Sequence, residues 1–491
     1  MDSLDMSLVI GVIATLSLSI LQSSFCVGNM LQGKQFTVKC PAGKEPSMLY
    51  TRIIPTLLLT VFFICLSALH AQAQESLKID IFGPGQDRIN MFVTPPRPMD
   101  AEHFSNDKYP QEMRSLLNQN LALLPFLKMI GDGEVLGGPE VEGVRGADID
   151  FRKFSLSRID MLLTIGVDQR IGLPGSVEIR AFEVFGQRMV LGKAYTLHDP
   201  KQISQMVRRF CADLMQYLTG HGDFFRSVMA FERKIGDVKE IWSVNPLGDN
   251  LRQLTRLDAI ALSPDWSRDG EKIAFTLLKD NQHFLGILDK STGEVSRHNL
   301  PGNTVISPKF APNGRIAVSI DPMGRPDIYW LDSDFRMDRP IMEHWAIDVS
   351  PSFDSSGRKM AFASGRLGNP HVFVLDLESK QVQRVSYDGR YNTNPALSPD
   401  GRYVAFTRQT PDGHRIFRTD LETGRERQIS FGPGNDEEPS FAPDGYFIAF
   451  SSNRSGEYRI YLTTRNGESP VLIPTGQGHA TSPAWGIDRD F

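Results

Sequence analysis

The sequence predicts a multidomain protein: a small α/β N-terminal domain followed by a six-bladed β-propeller closed by strands from both ends of that domain. One observation is a repeated phrase of the kind Pro-Ala-Leu-Ser-Pro-Asp-Gly, which recurs every 43 or 44 residues. A repeat of this length is typical of one four-stranded propeller blade. The other observation is that residues 76–222 lack the phrase. The copies begin at Pro264, Pro308, Pro351, Pro395, Pro439 and, truncated, Pro483.

Each repeat predicts four short strands. In the fourth copy the first strand meets the turn Pro399-Asp400-Gly401, where glycine can adopt a positive φ and aspartate can accept hydrogen bonds from its own backbone. Strands at 403–406, 416–420 and 427–430 follow. The second copy is one residue short after Gly314, which leaves its strand register open.

The sixth blade is predicted to be assembled from two separated segments. Residues 228–254 carry its second, third and fourth strands, and residues 482–485 carry its first strand. Such a join removes the open sheet edges that invite aggregation. The count is therefore six blades.

The segment before the propeller predicts a small sheet covered by helices. Strands are expected at 77–82, 90–93, 161–167, 176–185 and 188–197, and a helix at 111–124. A second helix has Asp199 as its N-cap, Pro200 in its first turn and Gly220 at its end. Its apolar stripe, expected to be buried, comprises Ile203, Met206, Phe210, Cys211, Leu214 and Leu218.

The N-terminus carries export signals. An apolar run at 53–69 follows Arg52 and ends in an Ala-x-Ala triplet, which predicts cleavage between Ala73 and Gln74. We interpret Met48 as the true start, so that 1–47 is a mis-assigned start or leader and 48–73 a signal peptide. A genuine long leader or a membrane anchor is the alternative. The domains are then 74–222 (α/β) and 223–491 (propeller).

Composition and motifs narrow the function. The net charge of −5, without a basic cluster, argues against nucleic-acid binding. Only Cys211 follows the proposed cleavage site, which predicts a chain without an internal disulfide. Neither Gly-x-Ser-x-Gly nor His-Glu-x-x-His occurs, and the histidines fall at unrelated repeat positions. We therefore expect no catalytic site, no metal and no cofactor.

The signal, the small α/β domain, the junction Leu218-Thr219-Gly220…Phe225-Arg226 and the ring of Pro-Asp-Gly repeats together resemble the TolB family over residues 76–491. The resemblance implies a monomeric, non-enzymatic component of the Tol–Pal system in the periplasm. It implies that the propeller binds Pal, an outer-membrane lipoprotein, and that the N-terminal segment binds TolA, an inner-membrane protein. It also implies roles in outer-membrane integrity and in invagination at cell division, and a propeller surface that some bacteriocins exploit. That N-terminal segment would comprise Gln74, Glu75, Ser76, Leu77, Lys78, Ile79 and Asp80.

The last repeat departs from the family pattern. It ends in Trp485-Gly486-Ile487-Asp488 rather than in a Ser-Pro turn, which predicts a looser closure of the ring.

The binding face is predicted from blade geometry. Loops from the fourth strand of one blade to the first strand of the next share one face, here at 258–263, 302–307, 344–350, 388–394, 432–438 and 476–482. Aromatic and charged groups on loops of a rigid scaffold suit protein binding. The turn aspartates Asp269, Asp400 and Asp444 are expected to be structural and to lie on the opposite face. The candidate contact residues are His344, Trp345, Arg390, Tyr391, Asn392, Asn394, Asp436, Glu437, Glu438 and His479.

Two other functions stay open at this point. A propeller can host an enzyme, such as a metal-dependent polysaccharide lyase with its metal in the channel. A propeller can also serve a peptidase that acts in trans.

Overall fold

The computed structural model describes residues 88–99, 108–168 and 175–489. The predicted leader, the signal peptide, the strand at 77–82 and the N-terminal segment 74–80 lie outside these residues. Among the described helices, none combines the length and the apolar character needed to cross a membrane.

The N-terminal domain is one mixed sheet in the order β3-β1-β4-β5-β6, with β2 beside β4. β1 is parallel to β3 and β4, whereas β5 is antiparallel to both of its neighbours, β4 and β6. The strands are β1 Ile89–Val93, β2 Arg97–Pro98, β3 Leu127–Met129, β4 Met161–Asp168, β5 Ser176–Glu183 and β6 Arg188–Thr196, and the helices are α1 Lys108–Ala122, α2 Phe151–Leu156 and α3 Gln202–Thr219.

Helices cover both faces of this sheet. Successive side chains of a strand point to opposite faces. Met91 and Val93 therefore join the core formed with α1 and α3, whereas Phe92 joins a second core with Phe151 and Phe154 of α2. The sequence did not predict β2, β3 or α2.

Helix α3 confirms its predicted buried stripe, including Cys211, and ends at Gly220 with φ 80°. Its predicted start is wrong by two residues. The Asp199 carboxylate accepts a hydrogen bond from the Lys201 amide (2.8 Å) and its carbonyl accepts one from Gln202 (2.9 Å). These bonds close a turn before the helix, so Lys201 takes the N-cap position without a side-chain cap.

The rest of the chain forms the propeller sheets. Four are separate and four-stranded, and one has eight strands. The four-stranded sheets are β14 Val305–Phe310, β15 Ile316–Ile320, β16 Asp327–Leu331 and β17 Met337–Pro340; β18 Asp348–Phe353, β19 Lys359–Leu367, β20 Asn369–Asp376 and β21 Val382–Arg384; β22 Asn392–Leu397, β23 Tyr403–Thr410, β24 Gly413–Asp420 and β25 Glu426–Gln428; and β26 Asp436–Phe441, β27 Phe447–Ser452, β28 Arg459–Thr464 and β29 Val471–Leu472.

The eight-stranded sheet contains the first repeat and both parts of the split one. Its order is β13-β12-β11-β10-β8-β7-β30, with β9 beside β8. The parallel pair Ile260↔Lys239 joins its two halves, because the Lys239 amide donates to the Ala259 carbonyl (3.1 Å) in the loop before β10. The number of separate four-stranded sheets is therefore four rather than six. The strands are β7 Ser227–Ile235, β8 Val238–Val244, β9 Arg252–Gln253, β10 Ile260–Trp266, β11 Lys272–Lys279, β12 Gln282–Asp289, β13 Val295–His298 and β30 His479–Ile487.

The predicted loose closure is wrong. β30 pairs antiparallel with β7 along its whole length, from His479↔Lys234 to Ile487↔Ser227. The pairing continues one residue further, where the Asp488 amide donates to the Arg226 carbonyl (2.9 Å). A nine-residue strand closes this sheet without a Ser-Pro turn.

The second repeat keeps its strand register despite the missing residue. The Ala311 amide donates to the Arg315 carbonyl (2.8 Å), as the Ser267 amide donates to Lys272 (2.9 Å) in the first repeat. The turn around Gly314, with φ 83°, is one residue shorter. The deletion is therefore absorbed by the turn.

Candidate functional site

A central channel runs through the ring of first strands. Its cavity of about 290 Å³ is lined by five of the six repeat prolines and by the residue before each of the six. Every one of these strands contains a bulge at this point. The residues before the prolines have φ between 48° and 58°; they are Ser263, Ser307, Ser350, Asn394, Glu438 and Ser482.

The bulges tie four of the six first strands to the preceding blade. A bulge leaves one residue out of the ladder, so its amide is free to bond elsewhere. The amide of Ser350 donates to the Ser319 hydroxyl (3.2 Å) and the amide of Glu438 to the Thr407 hydroxyl (3.1 Å). The Ser263 amide donates to a carboxylate, Glu232 Oε1 (2.7 Å). The channel wall is thus cross-linked from blade to blade.

A second cavity, of about 520 Å³, opens beside the channel between β7, β26 and β30. We call it the mouth pocket. Glu437 lies within it, in contact with His414 Nδ1, and accepts a hydrogen bond from the Tyr458 hydroxyl (2.9 Å). Burial and this hydrogen bond raise the pKa of Tyr458 to about 12. The residues that line the mouth pocket include Glu232, Lys234, Lys239, Glu437, Glu438, Tyr458 and His479.

Two deeper carboxylates of the mouth pocket are held by many donors. Glu438 Oε2 accepts hydrogen bonds from the Ser451 hydroxyl and the Ser482 amide, both at 2.8 Å. Burial, and then the neighbouring Glu232, raise the pKa of Glu438. Glu232 in turn accepts from Lys239 Nζ and from the Thr481 hydroxyl, both at 3.0 Å. Three carboxylates and two lysines therefore line the pocket, and these bonds fix its shape.

An apolar rim borders the channel on the same face. In an antiparallel blade, the loop before the first strand and the turn between the second and third strands lie at the same end. Met323 and Trp345, with 86% and 69% of their surface exposed, stand on such segments. Contiguous exposed apolar residues mark interaction sites. The apolar rim comprises Met323, Trp345, Ile347, Leu367, Tyr387, Tyr391 and Phe431.

Trp345 is held by a hydrogen bond to its backbone and by one ring contact within its own loop. Arg325 Nη1 donates to the Trp345 carbonyl (2.8 Å), and the rings of His344 and Trp345 lie 5.3 Å apart. The His344 Nδ1 accepts from the Ala346 amide (3.1 Å). The indole therefore projects from a fixed loop, as a protein-binding anchor requires.

The predicted contact residues divide by burial. Trp345, Arg390, Tyr391 and His479 are exposed, and His344, Asn394, Glu437 and Glu438 are half-buried.

Asn392 and Asp436 are fully buried, so their prediction as direct contact residues needs correction. Asn392 accepts from Arg408 Nε (2.7 Å) and Asp436 from Arg454 Nη2 (2.8 Å). Each compensates a buried arginine and fixes its loop.

Sequence reasoning missed several residues of this face. Glu232 and Tyr458 lie in the mouth pocket, and Met323 and Leu367 stand on turns between second and third strands. Those turns lie on the same face as the loops before the first strands. An apolar residue at the tip of such a turn could therefore have been predicted to belong to this face.

The turn aspartates have the predicted structural role. Asp269 Oδ1 accepts from the Ser267 hydroxyl (2.5 Å) and the Glu271 amide (3.1 Å). Asp444 Oδ1 accepts from the amides of Tyr446 and Phe447. Burial raises the pKa of Asp444 to about 6. Within residues 88–99, 108–168 and 175–489, no three His, Cys, Asp or Glu side chains are grouped to hold a metal ion.

Comparisons with known proteins extend these observations. A family model described as a TolB beta propeller domain matches residues 215–489. The chain is 43% identical over 301 residues to the Tol-Pal system protein TolB of Nitratidesulfovibrio vulgaris, which covers 61% of this chain and 68% of that protein. It is 31% identical over 310 residues to the TolB homolog of Chlorobium luteolum, and the match covers 63% of this chain and 69% of that protein.

One solved structure is similar over most of the chain. The crystal structure of TolB from Acinetobacter baumannii matches with a TM-score of 0.68, covering 82% of this chain and 97% of that one. Its sequence identity is 20%, so the likeness establishes the fold alone.

Proposed function

This chain belongs to the TolB propeller family, and from that premise we propose that it is a non-enzymatic, periplasmic adaptor of a Tol–Pal system. Its propeller would bind a Pal-like outer-membrane lipoprotein, and its N-terminal segment, 74–80, a TolA-like inner-membrane protein. The observation that carries this proposal is the face with the mouth pocket and the apolar rim. The name of the relative at 43% identity supports it.

The physiological role follows from the two proposed contacts. An adaptor held by one partner in each membrane transmits force between them, which would maintain outer-membrane integrity and draw that membrane inward at division. We place cleavage after Ala73 and the domains at 74–222 and 223–491. We further propose that the chain acts as a monomer and that bacteriocins can compete for the same face.

We also propose that the ring has six blades, with the eight-stranded sheet counted as two. One parallel pair, Ile260↔Lys239, joins its halves, whereas β10 to β13 and β30 with β7 to β9 each form a four-stranded group. The six positive-φ residues before the repeat prolines support this count.

The two parts of the face suit different tasks in binding. Exposed aromatic side chains such as Trp345 and Tyr391 provide large apolar contacts at small cost in side-chain entropy. The carboxylates of the mouth pocket select a partner by charge. Because hydrogen bonds fix both parts, we expect little change of the propeller backbone on binding.

Calorimetric titration of the purified chain with the soluble domain of the same organism's Pal tests this function. We expect saturable one-to-one binding, weakened tenfold or more by Trp345→Ala or Tyr391→Ala because buried aromatic anchors dominate interface energies. Phe185→Ala is the matched control, since it removes an aromatic side chain with 64% exposure from the N-terminal domain. Folded protein without saturable binding, or an equal loss in the control, would contradict the proposal.

A further inference from the structure

A cavity of about 320 Å³ on the face opposite the mouth is lined by an unusual number of arginines. It lies between the sheet β22–β25 and the sheet β26–β29, at the ends where the Pro-Asp-Gly turns stand. We call it the arginine pocket. Its charged lining residues are Arg402, Arg418, Arg425, Arg427 and Arg465, with Asp420 as the only acidic one.

Three of these guanidinium groups surround one aromatic ring. Arg418, Arg465 and Arg402 lie 4.5, 4.8 and 5.1 Å from the centre of the Tyr403 ring. Cation–π contacts stabilise each group modestly, but a guanidinium stays charged in proteins and its neighbours repel it. Burial, and the charge of Arg465, lower the pKa of Arg418.

The acidic side chains nearby pair with Arg402 and Arg465 rather than with the other three arginines. Arg402 Nε lies 3.3 Å from Glu422. Asp420 Oδ2 accepts from Arg402 (3.1 Å), while its Oδ1 accepts from the amides of Glu422 and Thr423. Asp400 lies 3.9 Å from Arg465. No ion pair of Arg418, Arg425 or Arg427 occurs in the described part of the chain, and Arg418 Nε is buried without a hydrogen-bond partner there.

We propose that the arginine pocket binds a phosphate group, as a free phosphate ester or pyrophosphate or as the headgroup of an anionic lipid. Guanidinium forks match phosphate oxygens and bind them through paired hydrogen bonds. A ligand that balances three arginines without an ion pair needs more negative charge than one carboxylate carries. This requirement favours a phosphate group. The volume suits a small ligand, and Tyr403 forms an apolar wall.

The site is distinct from the proposed partner-binding face. It lies at the other end of the blades and shares no residue with the mouth pocket or the apolar rim. Failure of Pal binding and failure of phosphate binding are therefore separate outcomes.

Titration of the purified chain with inorganic pyrophosphate at low salt tests the proposal. We expect saturable binding and a rise in melting temperature. Arg427→Gln and Arg425→Gln should each weaken binding about tenfold, the value of one charge-assisted hydrogen bond. Both side chains are exposed, so the variants should fold. Arg418→Gln, at a half-buried position, should abolish binding.

Arg339→Gln is the matched control, since it removes an exposed arginine from β17 of another blade. It should bind pyrophosphate as the unchanged chain does. The absence of saturable binding would overturn the proposal. So would the same melting-temperature rise with sodium chloride of equal ionic strength, or an equal loss in Arg339→Gln.

Sedimentation with vesicles separates the two sources of phosphate. Co-sedimentation with phosphatidic-acid vesicles, but not with phosphatidylcholine vesicles, and its loss in Arg427→Gln would identify a lipid headgroup. Pyrophosphate binding without co-sedimentation would identify a soluble phosphate.

Discussion

The residue before each repeat proline holds a positive φ, which costs a non-glycine side chain free energy. The bulge turns its amide toward the preceding blade, where Ser319, Thr407 and Ser451 offer hydroxyl acceptors. In the blade before Asn394 the equivalent position is Ala363, which has no hydroxyl group, but asparagine tolerates this backbone conformation better than most residues. Local strain is thus offset by contacts between blades.

Asp444→Asn should stabilise the fold at neutral pH. Burial raises the pKa of Asp444 from 3.8 to about 6, so its stabilising contribution is complete below pH 3.8 and is lost as pH rises through 6. The variant avoids this loss of stability, so its free energy of unfolding should be higher by roughly 3 kcal/mol at pH 7. Near pH 3 the free energies of unfolding of the variant and the unchanged chain should be equal. Asn313 fills the equivalent turn position in the second repeat. Urea unfolding at both pH values measures the difference.

Asp269→Asn is the opposite control. The Ser267 hydroxyl and the Glu271 amide lower the pKa of Asp269, so its contribution is present above the unfolded pKa and is lost as pH falls. This variant should be less stable than the unchanged chain at pH 7, with a difference that shrinks toward pH 3. Destabilisation by Asp444→Asn at pH 7 would contradict the argument.

Strand β30 links distant parts of the molecule. Its first residue, His479, lines the mouth pocket, and Thr481 donates to Glu232. Near its other end, Trp485 Nε1 donates to the Ser440 carbonyl (3.2 Å). Asp488, just past the strand, pairs with Arg208 of α3 at 3.2 Å. One strand therefore touches the mouth, a neighbouring blade and the N-terminal domain.

Asp488→Asn should lower stability by about 1–3 kcal/mol, because Arg208 is 3% exposed and would lose a charged acceptor. Asp338→Asn is the control: its pair with Arg315 is shorter, at 2.6 Å against 3.2 Å, but solvent-exposed, and should contribute less than about 1 kcal/mol. Urea unfolding of both variants gives the comparison. Equal effects would show that burial does not strengthen the Arg208–Asp488 pair.

Prediction of secondary structure succeeded where the sequence repeats itself. Each propeller turn and strand could be compared among several copies, which is why the short turn at Gly314 did not obscure β14 and β15. The N-terminal domain offers one copy of each element. β3 has three residues and α2 has six, too few for either to show a hydrophobic period. The parallel pair Ile260↔Lys239, which joins two four-stranded groups into one sheet, could not be predicted, because it depends on the conformation of the loop before β10.

The described residues of the N-terminal domain and the propeller form one compact unit, because the two domains share a core. Phe224 stacks on Phe447 with 4.1 Å between ring centres, and Phe225 packs edge-on against Phe224 at 5.2 Å. The same core contains residues of α1, α3, β27 and β28. The two domains are therefore expected to unfold together.

Phe224→Ala tests this cooperativity. Removing a fully buried ring costs about 3–5 kcal/mol, and here the cost falls on the junction, so calorimetry should show two transitions in place of one. Phe92→Ala removes an equally buried ring from the core around α2, remote from the propeller. It should lower the melting temperature of a single transition. Two transitions in both variants would argue against a special role for the junction.

The face that the loops before the first strands share could be predicted from blade geometry, but the burial and contacts of each side chain could not. Asn392 and Asp436 are buried because they accept hydrogen bonds from Arg408 and Arg454. Those arginines come from other segments of the chain. The arginine pocket likewise joins residues from β23, β24, β25 and the end of β28. Such convergence of separate strands is a property of the folded ring.

The pairing of β7 with β30 implies that one part of the propeller folds late. The Thr481 hydroxyl meets Glu232, which lies 249 residues earlier in the chain. Contacts over such distances form late, because a long loop must close first. A chain that emerges N-terminus first can therefore pair β7 with β8, but the other edge of β7 stays open until residues 479–487 follow. The mouth pocket, which needs both β7 and β30, is therefore among the last features to form.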